Sequence, residues 1–345
     1  MDRYPIPNPT VISKVVRQPR PSAPLTAMIH IAEHCNVRCE FCWHHSFLRK
    51  EPLHPTKVET AEVIKLIEDL AHMGTKDITL SANGEPTIHP GFPAIVDTIK
   101  NYGMQLKVVT NLTLFSPAVA AALAHTDHLI VNLGAWDETS YKAIYAPRGP
   151  ISFNDIVKHI KALTALSRGP KIKIGYVITK NNFRRVREAL DLAHSCKVAS
   201  VRFKLMDPSD FTGSLIIDQN DRQWLAAEIR DILKDKPTIE NNLQDLGGTL
   251  VGPSEFTLPE HGRCFVGWFV ININEDGTVT LCCQNEKLVI GDWRKEPLHE
   301  IWEGHKAQEF RNSAKTKLDF DHPLWHACRT CHYSDPNHYS RRITG

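Results

Sequence analysis

Several things this sequence lacks narrow what it can be. No apolar run approaches the roughly 18 residues that a membrane-crossing helix needs. Met1 to Thr10 holds prolines and polar residues where a secretion signal would place its apolar core. Charge of one sign is also lacking: 41 basic against 39 acidic residues leave a net charge of +2, which makes no case for nucleic acid or an anionic membrane as partner. No Gly-x-Gly-x-x-Gly follows an expected strand, so the usual signature of a dinucleotide site is missing. No internal repeat or low-complexity tract is present. What these absences leave is a globular chain of 345 residues, 42% hydrophobic, with material for a sizeable core and an expected place in the cytoplasm. Residues 1–24, rich in proline and carrying Arg17 and Arg20, read as an extended arm, too short for a separate peptide-binding domain.

Cysteine is what the sequence has. The nine are Cys35, Cys39, Cys42, Cys196, Cys264, Cys282, Cys283, Cys328 and Cys331. An odd number in a chain without a secretion signal argues against a disulfide framework, and the grouping near each end argues for metal or iron–sulfur ligation. Between the groups, short apolar runs alternate with amphipathic stretches. The runs Met28–Ala32, Asp77–Leu80, Leu106–Thr110, His128–Leu133, Ile172–Ile178 and Val201–Leu205 are separated by helical patterns at Val58–His72, Phe92–Asn101, Pro117–Ala124, Asn154–Leu166 and Phe183–Ser195. That alternation predicts βαβ units. The expected fold is α/β, a partial (β/α)6 TIM-like barrel over residues 25–215, with functional groups at the C-terminal ends of its strands. A bridging helix (Gln223–Leu233) and a polar link cover 216–253. A smaller unit, 254–345, is expected to hold a β-hairpin (Phe269–Asn274 and Thr278–Cys283) and a helix, Leu298–Arg311.

Cys35-Asn36-Val37-Arg38-Cys39-Glu40-Phe41-Cys42 is a C-x3-C-x2-C group directly after the first strand. Three thiolates can hold three irons of a [4Fe–4S] cluster and leave the fourth open to an amino and a carboxylate group, a position that four-cysteine ligation does not offer. A zinc site completed by His44 or His45 is the alternative. Ser81-Ala82-Asn83-Gly84-Glu85-Pro86 follows the second strand, where backbone carbonyls and the Glu85 carboxylate can meet an ammonium group. Thr110-Asn111 and Asn132 end the third and fourth strands, and together supply polar groups suited to a ribose. Tyr145 and Arg148 read as loop residues near the barrel mouth.

These features resemble the radical S-adenosylmethionine superfamily over roughly residues 25–210. The resemblance implies that Cys35, Cys39 and Cys42 bind a [4Fe–4S] cluster whose open iron takes S-adenosylmethionine. It implies that Phe41 contacts the adenine, that Ala82, Asn83, Gly84, Glu85 and Pro86 line the methionyl ammonium, and that Asn132 and Asn181 reach the ribose or carboxylate. Asn83 departs from the family's first glycine. The second group, Cys264-x12-Gly277-x4-Cys282 with Cys328-x2-Cys331, resembles the twitch domain, a shortened SPASM domain, and implies a second [4Fe–4S] cluster with four cysteine ligands; zinc is again the alternative. Cys196 reads as a packed small side chain, and Cys283 as a candidate hydrogen donor.

The implied chemistry is hydrogen abstraction by a 5′-deoxyadenosyl radical, then two-electron oxidation of a sugar- or aminocyclitol-like small molecule. The auxiliary cluster would accept the electron, and an external carrier such as flavodoxin or ferredoxin would supply the starting one. An epimerase with a cysteine hydrogen donor, a peptide-modifying oxidase and a zinc-stabilised binding module are the competing readings.

Overall fold

The computed structural model describes residues 21–50, 58–207, 209–251, 264–282, 285 and 287–314. Six βα steps run in order. Strands β1 (Thr26–His30), β2 (Asp77–Ser81), β3 (Gln105–Thr110), β4 (His128–Asn132), β5 (Lys171–Ile178) and β6 (Ser200–Leu205) each pair in parallel with the next. Helices α1 (Thr60–Met73), α2 (Phe92–Asn101), α3 (Pro117–Ala124), α4 (Glu138–Tyr145), α5 (Phe153–Thr164) and α6 (Val186–Ser195) lie between them. The sequence dictates this locally. In β5, Ile172, Ile174, Tyr176 and Ile178 are buried while Lys171, Lys173, Gly175 and Val177 are not, the period-2 pattern of a strand with one face against helices. Ser152 and Asp155 form a reciprocal capping box that starts α5.

The sheet does not stop at six strands. After α7 (Gln219–Lys234), the short strand β7 (Glu240–Asn241) pairs with β6 and is followed by helix α8 (Leu243–Val251). The stretch expected as a polar link therefore contains a helix, and α8 packs on α7. On the opposite edge, β8 (Val270–Ile273) pairs in parallel with β1, then β9 (Thr278–Thr280) and β10 (Val289–Asp292) add antiparallel. The expected hairpin is present, but it continues the barrel sheet, giving ten strands in the order β10-β9-β8-β1-β2-β3-β4-β5-β6-β7. The helix expected over Leu298–Arg311 is broken at Gly304 into α9 (Leu298–Glu303) and α10 (His305–Ala314).

The core lies between the outer sheet face and the helices, with Leu66, Ile67 and Leu70 of α1 and Ile95, Val96 and Ile99 of α2 closed off from water. A buried cation fastens the C-terminal unit. Arg311 donates to the carbonyls of Gly267 (2.8 Å) and Trp302 (2.9 Å) and lies over the Trp302 ring, while Trp302 Nε1 donates to Pro21 O at 2.6 Å. Among the described residues no helix is long and apolar enough to cross a membrane.

Candidate functional site

The cysteine loop leaves the C-terminal end of β1 and is held from three directions. From α4, the carbonyls of Ile144 and Tyr145 accept the backbone N–H groups of Glu40 and Arg38, both at 2.8 Å, and Arg148 N donates to Asn36 O at 2.8 Å. From the β3 end, Asn111 Nδ2 donates to Asn36 Oδ1 (3.0 Å) and lies 3.9 Å from the Cys35 sulfur, while Asn36 Nδ2 donates to Thr113 Oγ1 (2.7 Å). From the β5 end, Thr179 Oγ1 and Asn181 Nδ2 donate to the two oxygens of buried Glu40, at 2.8 and 2.7 Å. The loop also binds itself: His45 N donates to the Cys42 sulfur (3.2 Å), and the buried His45 ring meets Glu33 O through Nε2 at 2.5 Å.

The segment after β2 is pressed against the same loop. Gly84 N donates to Ala32 O and Glu85 N to His34 O. A β-carbon on Gly84 would fall 1.9 Å from His34 O, so only glycine permits this approach. Glu85 is 2% exposed, and its carboxylate accepts from Thr87 N, Thr87 Oγ1, Thr110 Oγ1 and Asn111 N. Burial still raises its pKa, with those donors working in the opposite sense.

These contacts give several residues of the expected site partners within the protein. Glu85, Thr110 and Asn111 are joined to one another, Asn111 also meets Asn36, and exposed Asn181 donates to Glu40. Ala82, Asn83 and Gly84 stay partly exposed, with Pro86 opening a short 3-10 turn behind them. Asn132 makes no side-chain hydrogen bond among the described residues and stays partly exposed at the end of β4. The Phe41 ring stands edge-on to Tyr145, with centroids 5.8 Å apart. Tyr145 itself is not a mouth residue: it ends α4, is buried, and its hydroxyl accepts from Gly134 N at 2.6 Å. Sequence reasoning missed Glu40 and α4. Asp137-x-x-Ser140, a capping box before Tyr141, Ile144 and Tyr145, was the available signal for the helix. Glu40 has no local signal, because its partners lie 139 and 141 residues away.

At the junction of the two units, Glu275 follows the end of β8 and was likewise not anticipated. It is 1% exposed, lies 3.6 Å from His30 Nδ1, and among the described residues neither carboxylate oxygen has a hydrogen bond within normal geometry. Burial pushes its carboxyl up to about 7, and Glu33 adds to the shift. Of the second cysteine group, Cys264 and Cys282 are described: Cys264 N donates to Ala314 O, and Cys282 O accepts from Thr280 Oγ1. Cys328, Cys331 and the hydrogen-donor candidate Cys283 lie outside the described residues. Cys196 is fully buried at the end of α6, as a packed side chain should be.

The donor set fits an iron–sulfur cluster in the first loop. Burial holds the Cys35 thiol up at about 12 and raises Cys39 and Cys42, with neighbouring thiols adding repulsion at Cys35 and Cys39. Three partly buried thiols that resist ionisation together need a cation to deprotonate them. Donors are already directed at two of the sulfurs, from Asn111 and from His45 N, the outer-shell contacts that orient metal ligands. Among the described residues no three His, Cys, Asp or Glu side chains converge on a single ion's position.

Residues 29–193 match the radical SAM superfamily, and residues 264–332 match an iron–sulfur cluster-binding domain of the SPASM type. The mycofactocin maturase of Mycobacterium tuberculosis (strain CDC 1551 / Oshkosh) is 29% identical over 187 residues, 54% of this chain and 46% of its own. A S-adenosylmethionine-dependent nucleotide dehydratase of Flammeovirga pacifica is 25% identical over 155 residues, 44% of this chain and 53% of its own. The chain spans about half the length of these curated relatives. In fold, it is similar to Streptococcus suis SuiB bound to S-adenosylmethionine, with a TM-score of 0.66 over 87% of this chain and 71% of that one at 15% identity. The two matched domains imply a [4Fe–4S] cluster that binds S-adenosylmethionine and an auxiliary iron–sulfur cluster. With the first match opening on β1 and running through the cysteine loop, and the second opening at Cys264, the chain carries a radical SAM domain and, behind it, a SPASM domain.

Proposed function

We propose that the enzyme oxidises an alcohol carbon of a small polyhydroxylated molecule by two electrons, giving a carbonyl. When bound, the first cluster with S-adenosylmethionine supplies a radical that removes hydrogen from carbon, and the second cluster supplies an acceptor for the electron left behind. Cys35, Cys39 and Cys42 hold the first group, and Cys264, Cys282, Cys328 and Cys331 the second. Phe41 meets the adenine, Asn132 the ribose, and the backbone from Ala82 to Pro86 the methionyl ammonium. Glu85, Thr110, Asn111, Glu40 and Asn181 keep those loops in register.

The observation that supports this reading is the pairing of β8 with β1 from Thr26↔Val270 to Ile29↔Ile273. It ties the SPASM unit to the strand that leads directly into the first cysteine loop, and an electron acceptor has to be held close to the site where the substrate radical forms. The starting electron comes from an external carrier of the flavodoxin or ferredoxin kind, in the cytoplasm.

Reconstituted enzyme, S-adenosylmethionine and a panel of polyols should yield 5′-deoxyadenosine and a carbonyl product in equal amounts. The Cys264→Ala/Cys282→Ala variant should still form 5′-deoxyadenosine and lose the carbonyl. An unchanged yield of carbonyl from that variant refutes the role of the second cluster; inversion of a carbinol centre without oxidation favours an epimerase.

A further inference from the structure

The buried pair at the seam of the two units has no part in the reading above. His30 is the last residue of β1, and Glu275 follows the end of β8, the strand paired with β1. Side chains alternate along a strand, so His30 shares a face with Met28. Met28 pairs with Thr79, which lines a cavity inside the N-terminal end of the barrel. His30 therefore ends β1 on the inner face, paired with Ser81 of β2, at the mouth that also carries the cysteine loop and the Glu85 segment. Glu275 meets it from the SPASM side, with Oε2 3.6 Å from His30 Nδ1. The histidine side chain keeps 11% of its surface exposed and the glutamate 1%.

Three further groups surround the carboxylate. Glu33 of the cysteine loop and the adjoining Asp276 add negative charge, and the Asn83 amide, from the segment after β2, opposes them. The position at which this chain departs from the family's glycine is thus the one that brings an amide to Glu275. Among the described residues His30 is its one ion-pair partner. A carboxylate enclosed with a single imidazole and a second acid holds its charge at a cost, and a proton removes that cost. Burial, with Glu33 adding to it, pushes the carboxyl up to about 7, where a group can accept a proton at neutral pH. A proton needs no cavity. An imidazole takes one on one ring nitrogen and releases one from the other, so His30 can pass a proton to a carboxylate that no substrate touches.

We propose that His30 and Glu275 take up the hydroxyl proton of the substrate as it is oxidised. This rests on the polyol oxidation proposed above and deepens it. Hydrogen abstraction leaves a carbon radical that bears a hydroxyl. The O–H bond breaks, its proton passing to the His30 ring and from the opposite ring nitrogen to the Glu275 carboxylate. The carbon–oxygen π bond forms, and the one electron left over goes to the second cluster. His30 is the catalytic residue of the pair; Glu275 acts through it as a positioning residue and holds the proton. Proton and electron leave toward the same unit, so neither charge stays at the barrel mouth.

The first test needs no substrate. Infrared spectra of the reconstituted enzyme with S-adenosylmethionine should show a carboxyl band that disappears as pH rises through about 7. Glu275→Gln, which keeps the shape of the side chain, should lack that band. The second test uses myo-inositol, sorbitol and glucose deuterated at their carbinol carbons. Carbonyl formation by the wild type should rise with pH and level off above about 7, because only the ionised carboxylate accepts the proton. Glu275→Gln and His30→Gln should each slow it about a hundredfold or more, and the double variant should be no slower than either. Deuterium should still reach 5′-deoxyadenosine in all three, iron content should stay at the wild-type value, and Glu275→Asp should restore part of the rate. Wild-type carbonyl rates in Glu275→Gln, the same pH dependence in that variant, or no carboxyl band titrating near pH 7 overturns the proposal. A band lost in Glu275→Gln, with deuterium transferred but no carbonyl from any of the three polyols, leaves the proton site standing and refutes the oxidation instead.

Discussion

The two halves of the barrel mouth treat their polar side chains differently. Around β1–β3 almost every one is consumed: Glu85 takes four donors, and Asn111 bridges Asn36 and Thr113. Around β4–β6, Asn132 faces inward at the end of its strand without a hydrogen-bond partner among the described residues. The braced half holds a cysteine loop in one conformation, and the open half keeps its donors for something that comes and goes.

The division can be broken most severely at Glu85. Replacement by alanine strands the hydroxyls of Thr87 and Thr110 and the N–H of Asn111, each costing about 1–3 kcal/mol when buried. Glu85→Ala should therefore lose more than about 4 kcal/mol in denaturant unfolding and fail to retain iron after reconstitution. Near-wild-type stability would show that the loop is held elsewhere.

Glu275 is the exception on the braced side, buried with no hydrogen bond of normal geometry among the described residues. Its carboxyl, raised from 4.5 to about 7, faces His30 on β1, Glu33 in the cysteine loop, Asn83 after β2 and its own neighbour Asp276. Below pH 4.5 the folded and unfolded forms are both protonated and no penalty exists. As pH rises toward 7 the unfolded chain ionises first, so stability falls by roughly 3 kcal/mol in total and then levels off. Glu275→Gln should remove this slope between pH 4.5 and 7, measured as unfolding free energy against pH. Parallel curves for the two proteins would contradict it.

Glu40 joins the cysteine loop to the end of β5. Glu40→Ala should cost about 1 kcal/mol, since it takes from the buried Thr179 hydroxyl its short acceptor while exposed Asn181 can turn to water, and should slow cluster reconstitution without abolishing it. The smallest effect belongs to the open half. Asn132→Ala should change stability by less than about 0.5 kcal/mol while weakening S-adenosylmethionine binding, and a larger loss of stability would show that Asn132 is structural after all.

The sequence made the scaffold readable where the signal is local. Period-2 strands such as Lys171–Ile178 and the C-x3-C-x2-C group announce themselves within eight residues. Braces between distant segments leave no such mark: Asn111 and Asn36 are 75 apart, and Glu40 and Asn181 are 141 apart. The reach of β8 back to β1 was also invisible, because an apolar four-residue strand at Val270–Ile273 specifies no partner.

The position of β1 also governs the order in which the protein can be assembled. One neighbour, β2, is synthesised about fifty residues later, but the other, β8, emerges only after residue 270. During translation the strand leading into Cys35 therefore waits with one row of backbone donors and acceptors bare, an edge open to pairing with other chains. Ribosome-bound chains ending near residue 250 should be sticky and hold iron poorly, and extension past β8 should cure both faults together.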